Sequence, residues 1–449
     1  MKPFAFSRVA PVAVLLVVAA GASASAPHFY YRQLQSFPGG RTQAAAINDA
    51  GTVVGSSGDF VLGFQAFASD LSGVLTDIDS FNCTASDCIA INAAGQVAMH
   101  GAWNHGGGNW TTAVLRYTPG VGTQNLGHLS GFNGSPTAIN GRGDIVGYWS
   151  TLPMGCDNHA FLYTDGGGMQ DLGTLGGPDS AANGINDAGQ IVGSAYDAAF
   201  IQHAVIWGSG GHVDLGPGVA VAINNAGLVV GYITVGSHTR AFYWTAADGT
   251  QLVPVPANAD SQSIALSKSG VILGVWSSNV NDQTGFLYTP GQQRVDLPSL
   301  ADTVLFQPAA LNNLGHVVGR ALDPNYNSVA FLYTPELGTV DLATVTSPPL
   351  NWWGMQPVSI NDADQIVVNA DGGMSTARAA ILAPAHLGDL NCDGRIDFGD
   401  INPFVMALSD PQAYAAAYPL CLIQGGDING DGQTNFADIN PFVALLAGN

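Results

Sequence analysis

Charge is what this sequence has least of. Only 10% of its 449 residues are charged; glutamate occurs once (Glu336) and lysine twice (Lys2, Lys268). Without Glu and Lys the flanking charge pairs of a coiled coil cannot be built, so a long helical rod is excluded. The chain is nevertheless 47% apolar, which excludes disorder driven by high charge and low hydrophobicity. No G-x-S-x-G, H-E-x-x-H or phosphate-binding loop occurs. Beyond the N-terminus no apolar run reaches the 18 residues of a membrane-spanning helix, so the chain is read as not membrane-spanning.

The N-terminus reads as an address. Lys2 and Arg8 precede the apolar run Val12 to Ala20, and Ala22-Ser23-Ala24 supplies a small-residue cleavage site. Residues 1–24 are therefore expected to be a signal peptide and the protein to be secreted, extracellular or attached to a cell surface. Removing them leaves 33 acids against 10 arginines and lysines, a net charge near −23. Such a surface repels phosphate backbones and anionic lipid, which excludes nucleic acid as a partner, and it tolerates divalent cations.

A phrase close to A-x-x-I-N-x-x-G-x-V-V-G occurs eight times, centred on Asn48, Asn92, Asn140, Asn186, Asn224, Ser267, Asn312 and Asn361. The intervals are 44, 48, 46, 38, 43, 45 and 49 residues. A second phrase, such as AFLYT at Ala160, and a third ending in Asp-Leu, such as MQDL at Met169, follow in most copies. The runs are short, rich in Val, Ile and aromatics, and bounded by Gly, Asn and Asp, which predicts strands and tight turns. Four strands in about 45 residues is the blade of a β-propeller. The expected fold is all-β: an eight-bladed propeller over 28–385, its last blade completed by an N-terminal strand within Tyr30 to Gly40. A β-helix or an open array of sheets is the alternative.

The I-N-D-x-G-x-V-V-G phrase with His159 to Tyr163 resembles the HAF repeats of bacterial extracellular proteins, a likeness covering about 28 to 384. Its His is replaced by Gln65, Thr112, Arg240, Val329 and Arg378 in other copies, so His159 and His203 are read as strand-end residues, not a metal pair. Asp171, Asp214, Asp296 and Asp341 recur at one strand end and are expected to brace the blade. Breaks in the pattern, where a site would be sought, are His100 to Trp110, Trp352 with Trp353, and Asn279 to Thr284. Nothing in these phrases demands catalysis.

From Gly388 a different duplication begins. Asp389 to Asp400 and Asp427 to Asp438 each place oxygen side chains at loop positions 1, 3, 5, 9 and 12 with Gly at 6. Calcium takes six to eight such hard oxygens, and the glycine allows the sharp turn. The expected ligands of two Ca²⁺ ions are Asp389, Asn391, Asp393, Asp397, Asp400 and the Arg395 carbonyl, then Asp427, Asn429, Asp431, Asn435, Asp438 and the Gln433 carbonyl. Each loop leads into DINPFV, where Ile401, Phe404, Val405 and Leu408, and Ile439, Phe442, Val443 and Leu446, share a helical face. Asn402 and Asn440 are expected caps, with Pro403 and Pro441 in the first turn. No helix is expected to enter either loop.

A duplicated loop with only an exiting helix resembles a type I dockerin over 387–449, specifically the Cys-containing dockerin-type tails of exported planctomycete-like proteins. That resemblance implies an EF-hand-like calcium-folded module docking to a cohesin-like or cell-surface partner. Positions 10 and 11, commonly Ser-Thr in cellulosomal dockerins, are Phe398-Gly399 and Phe436-Ala437 here, which suggests a more apolar contact. Of five cysteines, Cys392 with Cys421 and Cys83 with Cys88 are the expected pairs, leaving Cys156. The functional expectation is a secreted, non-enzymatic binding or surface protein, anchored by its tail. The alternative is a carbohydrate-active component of polysaccharide catabolism, a glycosidase or lyase delivered by the dockerin.

Overall fold

The computed structural model describes residues 29–38, 40–59, 63–79, 81, 83–106, 110–127, 129, 133–150, 157–279, 282–301, 303, 305–347, 354–370, 377–384, 387–391, 395–418, 421, 423–429 and 433–448. The expected signal peptide, Cys156, Trp352, Trp353, Cys392, Asp393 and Asp431 lie outside the described residues.

The repeat phrases are strands. In the third copy Asn133–Ile139, Ile145–Ser150, Asn158–Thr164 and Gly168–Gly173 pair antiparallel in chain order. The first copy, from Arg41–Ile47 to Leu75–Asp77, and the second, from Ala85–Ile91 to Gly122–Gly127, do the same. The fourth and fifth share the strand Gly211–Ile223, whose two halves pair with different neighbours. The sixth and seventh touch through one parallel bridge, Gln283 with Leu305. The last copy contributes Met355–Ile360, Ile366–Ala370 and Arg378–Pro384, and Phe29–Gln33 pairs antiparallel with the last of these. The result is a mostly-β, propeller-like fold of four-stranded antiparallel units.

Successive units pack face to face. Val54 and Ala66 of the first meet Met99 and Leu115 of the second, and Val367 and Ile381 of the last meet Val53 and Phe67 of the first. Each fully buried side chain of this size contributes about 1.5–3 kcal/mol, so the inter-unit faces dominate the stability.

The first strand of every copy carries a register shift at the equivalent place, as at Ala44/Ala46, Ala182/Gly184 and Pro357/Ser359, and the fourth copy has a second at Gly176/Ser180. Such a bulge pushes one carbonyl toward the second strand. The closing Gly of V-V-G answers it: a Cβ on Gly193 would lie 2.0 Å from the Ala181 carbonyl oxygen. That glycine is required by a close approach between strands.

The tail has its own core. Helices α1 (Ile401–Ser409), α2 (Pro411–Ala417) and α3 (Ile439–Gly448) surround Leu390, Phe404, Ala407, Tyr414 and Phe442. The Phe404 and Phe442 rings lie 4.3 Å apart between centroids. Four expectations change here. Helix α2 was not anticipated; it precedes the second loop. Of the shared helical face, Phe404 and Phe442 are buried, while Ile401, Val405, Ile439 and Val443 are exposed, because Tyr414 on α2 fills the core from elsewhere. The caps are Asp397 and Asn435, each opening a short 3-10 turn ahead of its helix, in place of Asn402 and Asn440. Cys83 and Cys88 are free and buried: Cys88 Sγ donates to the Phe67 carbonyl at 3.6 Å. Cys421 is disulfide-bonded. Among the described residues no helix is long and apolar enough to cross a membrane.

Candidate functional site

The repeated Asn does two things with one amide. In its own turn its Oδ1 accepts backbone N–H groups, as Asn48 does from Thr52 at 2.9 Å and Asn361 from Ala363 and Gln365 at 3.1 and 2.9 Å. Its Nδ2 donates to the carbonyl of the same position one copy onward. The links run Asn48 to Asn92 (3.1 Å), Asn92 to Asn140 (2.9 Å), Asn140 to Asn186 (3.1 Å), Asn186 to Asn224 (3.1 Å) and Asn224 to Ser267 (3.5 Å). They resume with Asn312 to Asn361 (3.0 Å) and return from Asn361 to Asn48 (3.0 Å). Aspartate lacks the donor and serine the reach. All seven asparagines are buried, so each bond left unmade would cost about 1–3 kcal/mol.

These asparagines ring a cavity of about 400 Å³. The residue before each, Ile47 or Leu311 for instance, supplies an apolar ring that Leu266 completes; the residue after each lies at the mouth, where most are polar. There a second set of bonds runs between neighbours. Asp187 accepts from the Gly141 N–H at 2.7 Å and from Asn225 Nδ2 at 2.6 Å; Asp362 accepts from Asn313 N and Nδ2 at 2.9 and 2.7 Å; the Asp362 N–H reaches Asp49 at 3.2 Å.

The sixth copy breaks both rings. It reads Ser267-Lys268-Ser269 where others carry an Asn followed by Ala, Gly, Asn or Asp. Ser267 Oγ closes its own turn with Val271 N at 2.9 Å, and Ser269 supplies longer contacts to Asn313, 3.3 and 3.4 Å. Lys268 Nζ extends to Asp49 Oδ2 at 2.6 Å, 219 residues away. Partial burial pushes the Asp49 carboxyl upward, but the Lys268 hydrogen bond and charge outweigh it and hold it below the ordinary range; the same bond raises Lys268. Sequence reasoning missed this site, although the S-K-S departure and the scarcity of lysine were visible.

The expected bracing role of the Asp-Leu aspartates is met at Asp171, Asp214 and Asp296, whereas Asp341 caps its own turn. Asp171 binds His159 Nδ1 at 2.9 Å and Asp214 binds His203 Nδ1 at 2.8 Å, so the recurring His and Asp are partners across one sheet. Asp296 accepts from Trp276 Nε1 at 3.0 Å and Asp341 from the Ala343 N–H at 2.9 Å. Of the pattern breaks, His100 to Asn104 and Trp110 lie on two paired strands, as do Asn279 and Asp282 to Thr284, while 107–109, 280 and 281 lie outside the described residues.

In the tail, Asp400 and Asp438 are wholly buried and equivalently bonded. Asp400 accepts from the N–H of Leu390 (2.8 Å), Asn391 (3.0 Å) and Asp397 (3.0 Å). Asp438 accepts from Ile428 (2.8 Å), Asn429 (3.0 Å) and Asn435 (2.9 Å). Position 12 therefore ties positions 2, 3 and 9 together. Asp397 and Asn435 spend one oxygen on the N–H two residues on, Gly399 and Ala437. Asp389 is buried; Asp427 is half-buried; Asn429, Arg395 and Gln433 are exposed. Burial, then the Asp389 charge, pushes the Tyr30 phenol up to about 12. Among the described residues no group of three or more His, Cys, Asp or Glu is placed to hold a metal ion. The position-5 acids of both loops are outside them.

No protein-family model and no curated protein matches this sequence. Among solved structures, an oligogalacturonate lyase from Vibrio parahaemolyticus is 10% identical over 79% of this chain and 97% of its own, with a TM-score of 0.44. A lectin from Burkholderia pseudomallei is 10% identical over 68% of this chain and 97% of its own, TM-score 0.37. A puromycin hydrolase is 13% identical over 71% of this chain, TM-score 0.41, and this chain spans 56% of its length. Likenesses at this level carry no functional argument.

Proposed function

We propose that this is a secreted binding protein: an eight-bladed propeller presented to the extracellular milieu and anchored by a calcium-folded, dockerin-like tail. The observation that carries it is the equivalence of the two tail loops. Their position-12 carboxylates make the same three backbone bonds, to within 0.1 Å. The donor set fits calcium: every side chain at positions 1, 3, 5, 9 and 12 offers oxygen. Asp389, Asn391, Asp393, Asp400 and the Arg395 carbonyl would hold one ion, with Asp397 acting through water. Asp427, Asn429, Asp431, Asp438 and the Gln433 carbonyl would hold the other, with Asn435 in the water-bridging place. Calcium supplies the positive charge that lets these carboxylates converge; the chain supplies the turn and the buried position-12 anchor.

The docking surface is the outer face of α1 and α3. Phe398 and Phe436 are 78% and 74% exposed, with Val405 and Val443 at 54% and 56% beside them. Two equivalent apolar faces suit a protein partner, cohesin-like in chemistry but more apolar. A polysaccharide-degrading role is less well supported: a glycosidase needs two free carboxylates about 5–9.5 Å apart, whereas Asp49, Asp187 and Asp362 are each bound to a neighbour.

Calorimetric titration of the full chain with calcium, before and after chelation, tests the reading. Two binding events that protect 387–449 from proteolysis are expected; no binding at millimolar calcium overturns it.

A further inference from the structure

The polar mouth of the central cavity is incomplete at several junctions. At four junctions the residue after the repeated Asn, Asp187, Asn225, Asp362 or Asp49, turns a side-chain oxygen onto the N–H of the equivalent residue one copy earlier. Ala93, Gly141 and Lys268 have no such oxygen, so the N–H groups of Asp49, Ala93 and Asn225 receive no side-chain acceptor from the next copy. Lys268 instead brings an ammonium with three donors, of which Asp49 takes one. Below lies the ring of Ile and Leu side chains, and the half-open cavity of about 400 Å³ falls in the range of small-molecule sites.

We infer that this mouth binds a small neutral polyhydroxylated molecule, of monosaccharide to disaccharide size. Fixed carboxylates and amides accept from hydroxyl groups, open backbone N–H groups and Lys268 donate to them, and the apolar ring meets a C–H face. Three carboxylates against one lysine repel phosphates and other anions. A small cation would have to displace Lys268 from Asp49. A hydroxylated neutral molecule satisfies donors and acceptors together. The inference rests on the binding-protein reading but not on the tail, so failure of the calcium experiment leaves it testable.

The test is saturation-transfer NMR of the calcium-loaded full chain. The probes are glucose, galactose, mannose, fucose, cellobiose and maltose, with inorganic phosphate and methylammonium as charged comparators. At least one neutral sugar should show saturable transfer, and neither comparator should. Lys268→Met should weaken it about tenfold or more, the loss expected for a hydrogen bond to a charged group. Ala93→Asn fills one gap with the residue that other copies tolerate as Asn225 and Asn313, so the ring should fold and binding should fall similarly. Absence of transfer to every sugar overturns the inference. Binding unchanged in both folded variants does so too, because the sugar then sits elsewhere.

Discussion

The side-chain amide of Asn361 donates to the backbone carbonyl of Asn48 at 3.0 Å, joining residues 313 positions apart. It makes the last copy hold the first by the same bond that holds every other pair, except at Ser267. The ring is thus locked by a repeated amide as well as by the strand Phe29–Gln33.

Removing that lock should be costly. Asn361→Ala strips the acceptor from two part-buried turn N–H groups and the donor from the Asn48 carbonyl, whose bond is buried. A loss of about 2–3 kcal/mol is expected, read by chemical denaturation. Ser267→Asn should work the other way, adding the missing link to Asn312 and stabilising by about 1 kcal/mol. An unchanged midpoint for both would show that the amide ring adds nothing to the packing of the units.

Two positive-φ residues make a matched pair. Phe200 (φ 62°) sits exposed at a hairpin tip, whereas Asp364 (φ 57°) stands where the other copies of its turn carry glycine. Left-handed backbone costs an L-residue about 1–2 kcal/mol. Phe200→Gly should therefore raise the melting temperature. Asp364→Gly should not, because its carboxylate accepts from Asn312 Nδ2 at 2.9 Å and pairs with His316 Nδ1 at 2.7 Å. Equal gains in the two melting curves would mean that these bonds are worthless.

The Lys268–Asp49 pair has a defined pH window. Asp49 is depressed, so its contribution is present above the ordinary carboxylate range near pH 4 and is lost as pH falls through its lower folded value. Lys268 is raised, so its contribution is complete below about pH 10 and is lost as pH climbs through its higher folded value. Both groups are well exposed, which limits the pair to under about 1 kcal/mol. The difference in stability between wild type and Lys268→Met should be flat between those limits and vanish outside them.

Cysteine labelling checks the two free thiols. Burial, then Asp79, pushes Cys83 up to about 12, and burial raises Cys88 further. At pH 8 iodoacetamide should leave both unmodified in the native protein and modify both in denaturant without reductant, as read by peptide mass. A Cys83–Cys88 disulfide peptide would contradict the structure.

Much of this was legible along the chain. The spacing of the phrases, the β-branched and aromatic runs and the N-D-A-G turns are local signals, and local geometry answers to them: strands, hairpins and a glycine at φ 80° at Gly51. The twelve-residue loops are legible for the same reason, since their oxygen-bearing positions lie within one short stretch of chain. What the sequence alone determined, then, was the repeating unit, its strands, and the oxygen-rich loops of the tail.

Tertiary structure decided what each repeated residue meets. Asn48 looks like a turn former until its Nδ2 finds a carbonyl 44 residues on. The V-V-G glycine looks like a turn signal until the bulged carbonyl across the sheet leaves no room for a Cβ. His159 and Asp171 recur separately in the sequence and prove to be one bond. Lys268 is an isolated charge until the ring brings Asp49 to it. Ile401 and Val405 fit a buried helical face by spacing, but Tyr414 and Phe442 fill that core and leave them outside. Periodicity says which residues share a face; only packing, through contacts tens to hundreds of residues apart, says what covers it.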